Sequence, residues 1–426
     1  MARKIIPRLQ EWSKSQLANV VVIKGEGRAF CAGGDVAALA TQNKQGAEGQ
    51  QNSKDYFALE YKLDHLIATY SKPYVAFIDG ITMGGGVGLS LHAPFRIATE
   101  NTVMAMPETT IGFFPDVGAS FFLPRMDGDV GMYLALTSEQ LKGVDVFWAG
   151  IATHYLHSSS LPDLEARLAE LQFKDYDTMQ QRLQIIDKTI EEFSTGIPHD
   201  RHPSNSVVGG NLRAAIDYVY QPANSITMML DALQGLCEGS STPSNVQEWA
   251  SKTRKTMLQR SPTSVKVAVK QLRDGIRWGI AETFRKEFTI ASRFMEHPDF
   301  VEGVSALLIN KPKTTPKWSP SSLEEVTDET VREFFIGEED AELELLPAAS
   351  GEGSRSYTDY PHAWVGLPRE NEVREHVLRR NGVDSVEDVV KHFVDLRGGK
   401  QGVKEMVEEI LGRKGEMSGK MLGWKR

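Results

Sequence analysis

Cysteine is almost absent: Cys31 and Cys237 are the only two in 426 residues. Standing far apart, they exclude a thiolate zinc cluster, a redox CxxC pair and a disulfide framework, and they suit a reducing compartment. Long hydrophobic runs are missing too. The longest uncharged stretches, residues 80–95 and 146–162, are broken by glycine or polar residues and fall short of the roughly 20 apolar residues that cross a bilayer, so no membrane span is expected. Positive charge is in deficit, with 48 Lys plus Arg against 57 Asp plus Glu. That balance removes a global attraction to nucleic acid or acidic lipid, and any such partner needs a local patch. Glycine (37) and proline (19) are too few and too scattered for a fibrous or disordered chain.

What is present is a globular mixture, 41% hydrophobic and 25% charged, long enough for two or three units at about 150 residues each. Ile5, Ile6, Leu9 and Trp12 recur at helical spacing directly after Met1 and Ala2, and no basic, acid-poor leader is expected. From there to residue 126, apolar runs at 20–24, 74–78 and 95–98 alternate with glycine-rich turns and helical stretches such as 55–70. This alternation predicts an α/β unit with crossover connections. The polar segment 41–53 reads as a solvated loop or lid.

Over 127–336 the strand signal fades and helical periodicities predominate, at 161–173, 179–193, 226–237, 261–276 and 280–295. Ser261 and Pro262 read as an N-cap followed by proline at the first helical position. Ile280, Phe284, Phe288 and Ala291 read as one apolar face.

Residues 337–354 are acidic, then small and flexible, and read as a linker. Residues 355–426 form a mainly helical extension. Its stripes run through Val386, Val389, Val390, Phe393 and Val394, and through Val403, Met406, Val407, Ile410 and Leu411, with Ser385 and Asp388 as a capping box. Each stripe needs a surface to cover it. The last residues carry Arg413, Lys414, Lys420, Lys425 and Arg426 against Glu416, interleaved with Met417, Met421, Leu422 and Trp424. They read either as a basic end that meets phosphate and stacks Trp424 on a partner, or as a solvated end behind helices that cover the chain's own surface.

Three segments carry chemistry. The first, from Val20 through AFCAGGD to Asp35, is a strand, a turn and paired glycines at a helix start. Such a turn either aims free backbone N–H groups at an incoming oxygen or is simply a tight turn with Asp35 as a cap. The second, KPYVAFIDGITMGGGVGLS, opens an apolar helix with Gly84, Gly85 and Gly86. Its spacing is wrong for a dinucleotide fingerprint, and the GLSLH run falls short of a nucleophile elbow. The third, MPETTIGFFPDVG, sets Glu108 and Asp116 among prolines and apolar residues. Lost hydration there raises a carboxyl pKa toward the range useful for acid/base work, and the alternative is capping and turn formation.

In this order the three segments resemble the crotonase superfamily of acyl-CoA enzymes, most closely its 3-hydroxyisobutyryl-CoA hydrolase branch, over roughly residues 3–336. The resemblance implies a spiral of ββα units followed by a helical region. It implies backbone N–H donors for the thioester carbonyl at Gly34, with Ala32 nearby, and at Gly85. It also implies acids at Glu108 and Asp116, a substrate-contacting carboxylate at Glu60, and CoA only as part of the substrate, with no metal. Hydratase relatives carry a glutamate two residues beyond the glycine triplet, where this chain has Gly88. The resemblance therefore implies hydrolysis of 3-hydroxyisobutyryl-CoA in valine degradation rather than two-acid hydration. Hydrolases of this branch begin with a β-hairpin, whereas this chain starts at the next helix. Fungal members of this appearance are recruited to the mitochondrial ribosome's small subunit, which implies a mitochondrial location and a ribosomal partner, protein and rRNA, met through residues 355–426.

Overall fold

The computed structural model describes residues 1–337, 343–346, 356–379, 385–418 and 421–425. Six of its strands come in consecutive pairs: β1 (Val21–Lys24) and β2 (Ala29–Cys31), β3 (Tyr74–Ile78) and β4 (Ile81–Met83), β5 (Phe95–Ala98) and β6 (Val103–Ala105). The first member of each pair joins one parallel sheet, in the order β1-β3-β5, and the second joins another, in the order β2-β4-β6. Each ββα turn thus advances both sheets by one strand, which is the expected spiral. The first sheet is buried on both faces, and all five residues of β3 are inaccessible, as parallel strands covered by crossover helices must be.

Strands do not end at residue 126. Two more, β7 (Leu141–Lys142) and β8 (His154–Tyr155), extend one sheet each, β7 antiparallel to β6 and β8 parallel to β5. At two residues apiece they leave no periodicity to read and are held by the strand beside them. The helical periodicities coincide with helices Leu161–Ala169, Met179–Glu191, Ile226–Glu238, Pro262–Gly275 and Ile280–Glu296, and Ser261 Oγ accepts from Ser264 N at 3.0 Å as the N-cap.

Segment 41–53 is not a loop. It belongs to helices Val36–Asn43 and Ala47–Ala68, in which two polar residues pair with each other. Ser53 Oγ donates to Asn43 Oδ1 at 2.7 Å, and Asn43 Nδ2 donates to Met295 O at 3.1 Å, all three groups being buried. Asn43 and Ser53 are the exceptions: Thr41, Lys44, Gln45, Glu48, Gln51 and Asn52 are exposed, so the segment is solvated as expected but largely helical.

Of the acidic stretch 337–354, only Gly337 and residues 343–346 are described; Leu343 is buried, and the rest of the linker reading lies outside the described residues. The extension beyond it adds helix Glu370–Arg379 to the two expected helices, Val386–Leu396 and Val403–Lys414, and closes with an unexpected antiparallel pair, β9 (Gly415–Ser418) and β10 (Met421–Trp424). Ser385 and Asp388 form the expected capping box.

Both amphipathic stripes turn inward, and one contiguous apolar core runs from Ile6 to Leu422. Two of the terminal cations are likewise engaged: Arg413 Nη1 lies 2.9 Å from Glu370 Oε2, and Lys414 Nζ lies 3.5 Å from Asp217 Oδ2. Lys425 is exposed, while Lys420 and Arg426 lie outside the described residues. The extension covers the chain's own surface, and the expected phosphate-binding end keeps few free charges among the described residues.

Lys400 anchors it. Its ammonium is buried 3.1 Å from Asp187, 3.2 Å from Glu191 and 2.6 Å from His154 Nε2. Lys400→Met is expected to destabilise the protein by about 3 kcal/mol, the lower end for breaking a buried pair because both acids keep partial water contact. A loss below about 1 kcal/mol in denaturant unfolding would refute the anchor, since that is the range of an exposed pair.

Candidate active site

Because β2, β4 and β6 are adjacent and parallel, with Cys31 opposite Thr82 and Met83 opposite Ala105, the loops leaving their carboxyl ends meet. Ligands of open parallel sheets sit at such ends. Here the three loops deliver Ala32 and Gly34, then Gly85, then Glu108, to one cavity of about 420 Å³. Glu60 from the long helix Ala47–Ala68 and Asp116 join its polar lining, with Tyr56, Thr110 and Lys313, and Phe57, Phe113 and Phe300 are among its apolar walls. All six residues singled out in the sequence therefore face one space.

Two glycines let the loops approach. Gly33 has φ +100° and Gly84 φ +50°, left-handed values that cost an L side chain energy. The Gly34 and Gly85 amides donate to no protein acceptor, and Gly85 is the first residue of helix Gly85–Leu91, where an N–H has no intrahelical partner. Two donors thus stand free on the cavity wall, while Asp35 caps the following helix at 3.0 Å from Ala38 N. The turn and its Asp35 cap are as expected, and they leave the two N–H groups available beside the cavity.

The acids are crowded, and Lys313 shares the cavity's lining with them. Glu108 is buried, its Oε2 has no hydrogen-bond partner, and its Oε1 lies against Gly84. Burial, and then repulsion by Asp116, push its pKa well above the carboxylate range. Tyr61 Oη donates to Asp116 Oδ2 at 2.7 Å, which partly offsets the burial that raises Asp116 to about 7. Tyr56 Oη donates to Glu60 Oε1 at 3.2 Å, and Glu60 is raised to about 8 by burial and then by Asp116. Asp116 and Glu60 are thereby brought toward the neutral range in which acid/base catalysts work.

Sequence reasoning missed the clamp behind Asp116. Glu287 accepts from Gly118 N at 2.6 Å and from Ser120 N and Oγ at 2.9 and 2.6 Å, and burial raises its pKa to about 8. The turn it holds contains Val117 at φ +55°, a conformation that costs a β-branched residue about 1–3 kcal/mol and persists only where its surroundings fix it. A signal was present: Glu287 lies on the same helical face as Ile280, Phe284, Ala291 and Phe294, all buried. Phe288, assigned to that face from spacing, is only half-buried.

Gly88 does not line the cavity. A β-carbon there would stand 2.5 Å from Oδ2 of Asp64, a fully buried carboxyl without hydrogen-bond partners among the described residues, its pKa pushed well above the carboxylate range by burial. Gly88→Glu is expected to lower the unfolding midpoint, because overpacking costs about 1–3 kcal/mol and a second carboxyl beside Asp64 adds to that. It is expected to yield no enoyl-CoA hydration in a spectrophotometric assay. A stable variant with robust hydration would show that position 88 alone sets the reaction.

Among the described residues no His, Cys, Asp and Glu side chains are grouped to hold a metal ion, and no helix is long and apolar enough to cross a membrane.

Comparison with known proteins agrees with this geometry. Residues 1–335 match the family described as enoyl-CoA hydratase/isomerase. The small ribosomal subunit protein mS47 of Neurospora crassa is 56% identical over 97% of this chain and 80% of its own length. The mitochondrial 3-hydroxyisobutyryl-CoA hydrolase of Gallus gallus is 41% identical over 80% of this chain and 84% of its own. Among solved structures, a carnitinyl-CoA dehydratase from Mycobacterium thermoresistibile superposes with TM-score 0.68 at 29% identity, over 82% of this chain and 91% of its own.

Proposed function

Because the chain belongs to the enoyl-CoA hydratase/isomerase family, we propose that its cavity binds an acyl-CoA thioester and hydrolyses it, with 3-hydroxyisobutyryl-CoA as substrate. The observation that carries this reading is the acid inventory: Glu108 and Asp116 share the cavity with two free backbone donors, while position 88 is a glycine facing Asp64 outside the cavity. Two-acid hydration lacks its second acid, and thioester hydrolysis lacks nothing.

The carbonyl oxygen sits between the Gly34 and Gly85 N–H groups, which meet the negative charge as it develops; one such donor commonly contributes about 3–4 kcal/mol. Glu108, in its carboxylate form, either attacks the carbonyl carbon to give a mixed anhydride that water then hydrolyses, or takes a proton from the attacking water. The C–S bond breaks, a C–O bond forms, and the leaving sulfur takes a proton that Asp116, oriented by Tyr61, supplies. Glu60 accepts from the acyl hydroxyl. The location is mitochondrial.

The deciding experiment is CoA release from 3-hydroxyisobutyryl-CoA by the purified protein. Turnover of that substrate well above related acyl-CoAs supports the reading, and its absence refutes it.

A second role, as a component of the mitochondrial small ribosomal subunit with or without activity, is supported by the identity and coverage of the Neurospora crassa relative. It would use the outward face of the extension, since the inward face is covered. Co-sedimentation with mitochondrial ribosomes tests it.

A further inference from the structure

The family match ends at residue 335, yet the segment that begins at Ser356 lies directly behind the turn carrying Asp116. Several bonds fix it there. Arg125 Nε donates to Thr358 O at 2.8 Å, Ile280 N to Tyr357 O at 3.0 Å, and Tyr357 Oη to Ala68 O at 3.1 Å. The ring of Tyr360 meets Phe121 edge to face, with centroids 4.9 Å apart.

Tyr360 Oη then lies 2.9 Å from Nδ1 of His92, a fully buried ring whose Nε2 lies 2.9 Å from Val117 O. A carbonyl oxygen only accepts, so Nε2 carries the hydrogen. In the neutral ring Nδ1 is therefore the acceptor, and the tyrosine hydroxyl donates to it. The two bonds run in one direction, from Tyr360 through His92 to the carbonyl of the strained residue next to Asp116. The imidazole edge lies so close to Gly118 that a β-carbon there would overlap it.

We propose that Tyr360 is a positioning residue for the hydrolytic site: through His92 it fixes the Val117 carbonyl and so aims Asp116 into the cavity. The extension is then part of the working enzyme and not only a cover or a docking element. The kinetic half of this proposal rests on the hydrolase reading; the hydrogen-bonded path does not.

Tyr360→Phe keeps the ring and removes only the hydroxyl. In the full-length protein with ¹⁵N-labelled histidine, the Nδ1 resonance of His92 is expected to move toward that of a free pyridine-type nitrogen, while Nε2 stays protonated. In the same variant kcat for CoA release is expected to fall about tenfold with KM changed by less than about twofold, the pattern of a misaimed group with binding retained. In a His92→Leu background the same change is expected to add no further loss, because the path is already cut. Unmoved His92 nitrogen shifts, wild-type kcat in Tyr360→Phe, or an equal loss in both backgrounds would overturn the proposal. If His92→Leu does not fold, the nitrogen shift and the kcat of Tyr360→Phe still decide. If the wild-type protein releases no CoA, the hydrolase reading fails, and the path from Tyr360 to Val117 is judged on the nitrogen shifts alone.

Discussion

Replacing Glu108 with Gln is expected to lower kcat for thioester hydrolysis at least about a hundredfold, the lower end of what a positioned acid/base group supplies. The protein should not be weakened by it. The Glu108 carboxyl is buried, has one oxygen without a hydrogen-bond partner, and has its pKa raised in the folded state by burial and by Asp116. A carboxyl raised in this way favours the fold at low pH, and that contribution is lost as pH rises above the ordinary carboxylate range. Glutamine never ionises, so the variant should match the wild type at pH 4 and unfold at a higher temperature at pH 8. Circular dichroism melts at both values, with CoA release measured alongside, check the two halves together. A folded variant with near wild-type turnover would remove Glu108 from the mechanism.

Removing residues 356–426 is expected to abolish cooperative folding and not merely a docking function. Among the described residues of that segment twelve apolar side chains are buried, including Val365, Val373, Val389, Phe393, Val403, Val407, Ile410 and Leu422. Each contributes about 1.5–3 kcal/mol when buried, and a domain holds a net of about 5–15 kcal/mol, so a handful of them decides the outcome. The deletion would also bare core residues such as Phe147 and Trp148, against which Gly402 packs. The shortened chain should be insoluble or melt without a sharp transition. A soluble 1–355 fragment with the full-length melting temperature and kcat would show instead that the extension is independent.

Much of the architecture could be read from residue patterns. The runs at 74–78 and 95–98 are strands at those positions, because buried parallel strands announce themselves as continuous apolar residues. β2, β4 and β6 could not be read that way: at three residues each they carry no period, and their pairing depends on neighbours dozens of positions away. The site shows the same division. Gly34, Gly85, Glu108 and Asp116 stand in contiguous motifs, and they meet at adjacent strand ends. Tyr61, Glu287 and His92 act on Asp116 or its turn from separate elements, and nothing in local spacing connects them. Segment 41–53 misled because polar composition reports exposure to water, which most of its residues have, and not whether the backbone is helix or loop.

The inward-facing extension also bears on how the chain is made. A protein emerging in order from a ribosome or a translocation channel can assemble its early elements while later ones are still withheld. Here helices Val386–Leu396 and Val403–Lys414 and the strand Met421–Trp424 close a core that reaches back to Ile6. Until they arrive, the apolar surface they cover is bare, and the hydroxyl of Tyr360 reaches His92 only after 267 intervening residues have been delivered. Newly made copies should therefore pass through a stage in which the two four-stranded sheets can be complete while the apolar surface beneath the extension is still bare.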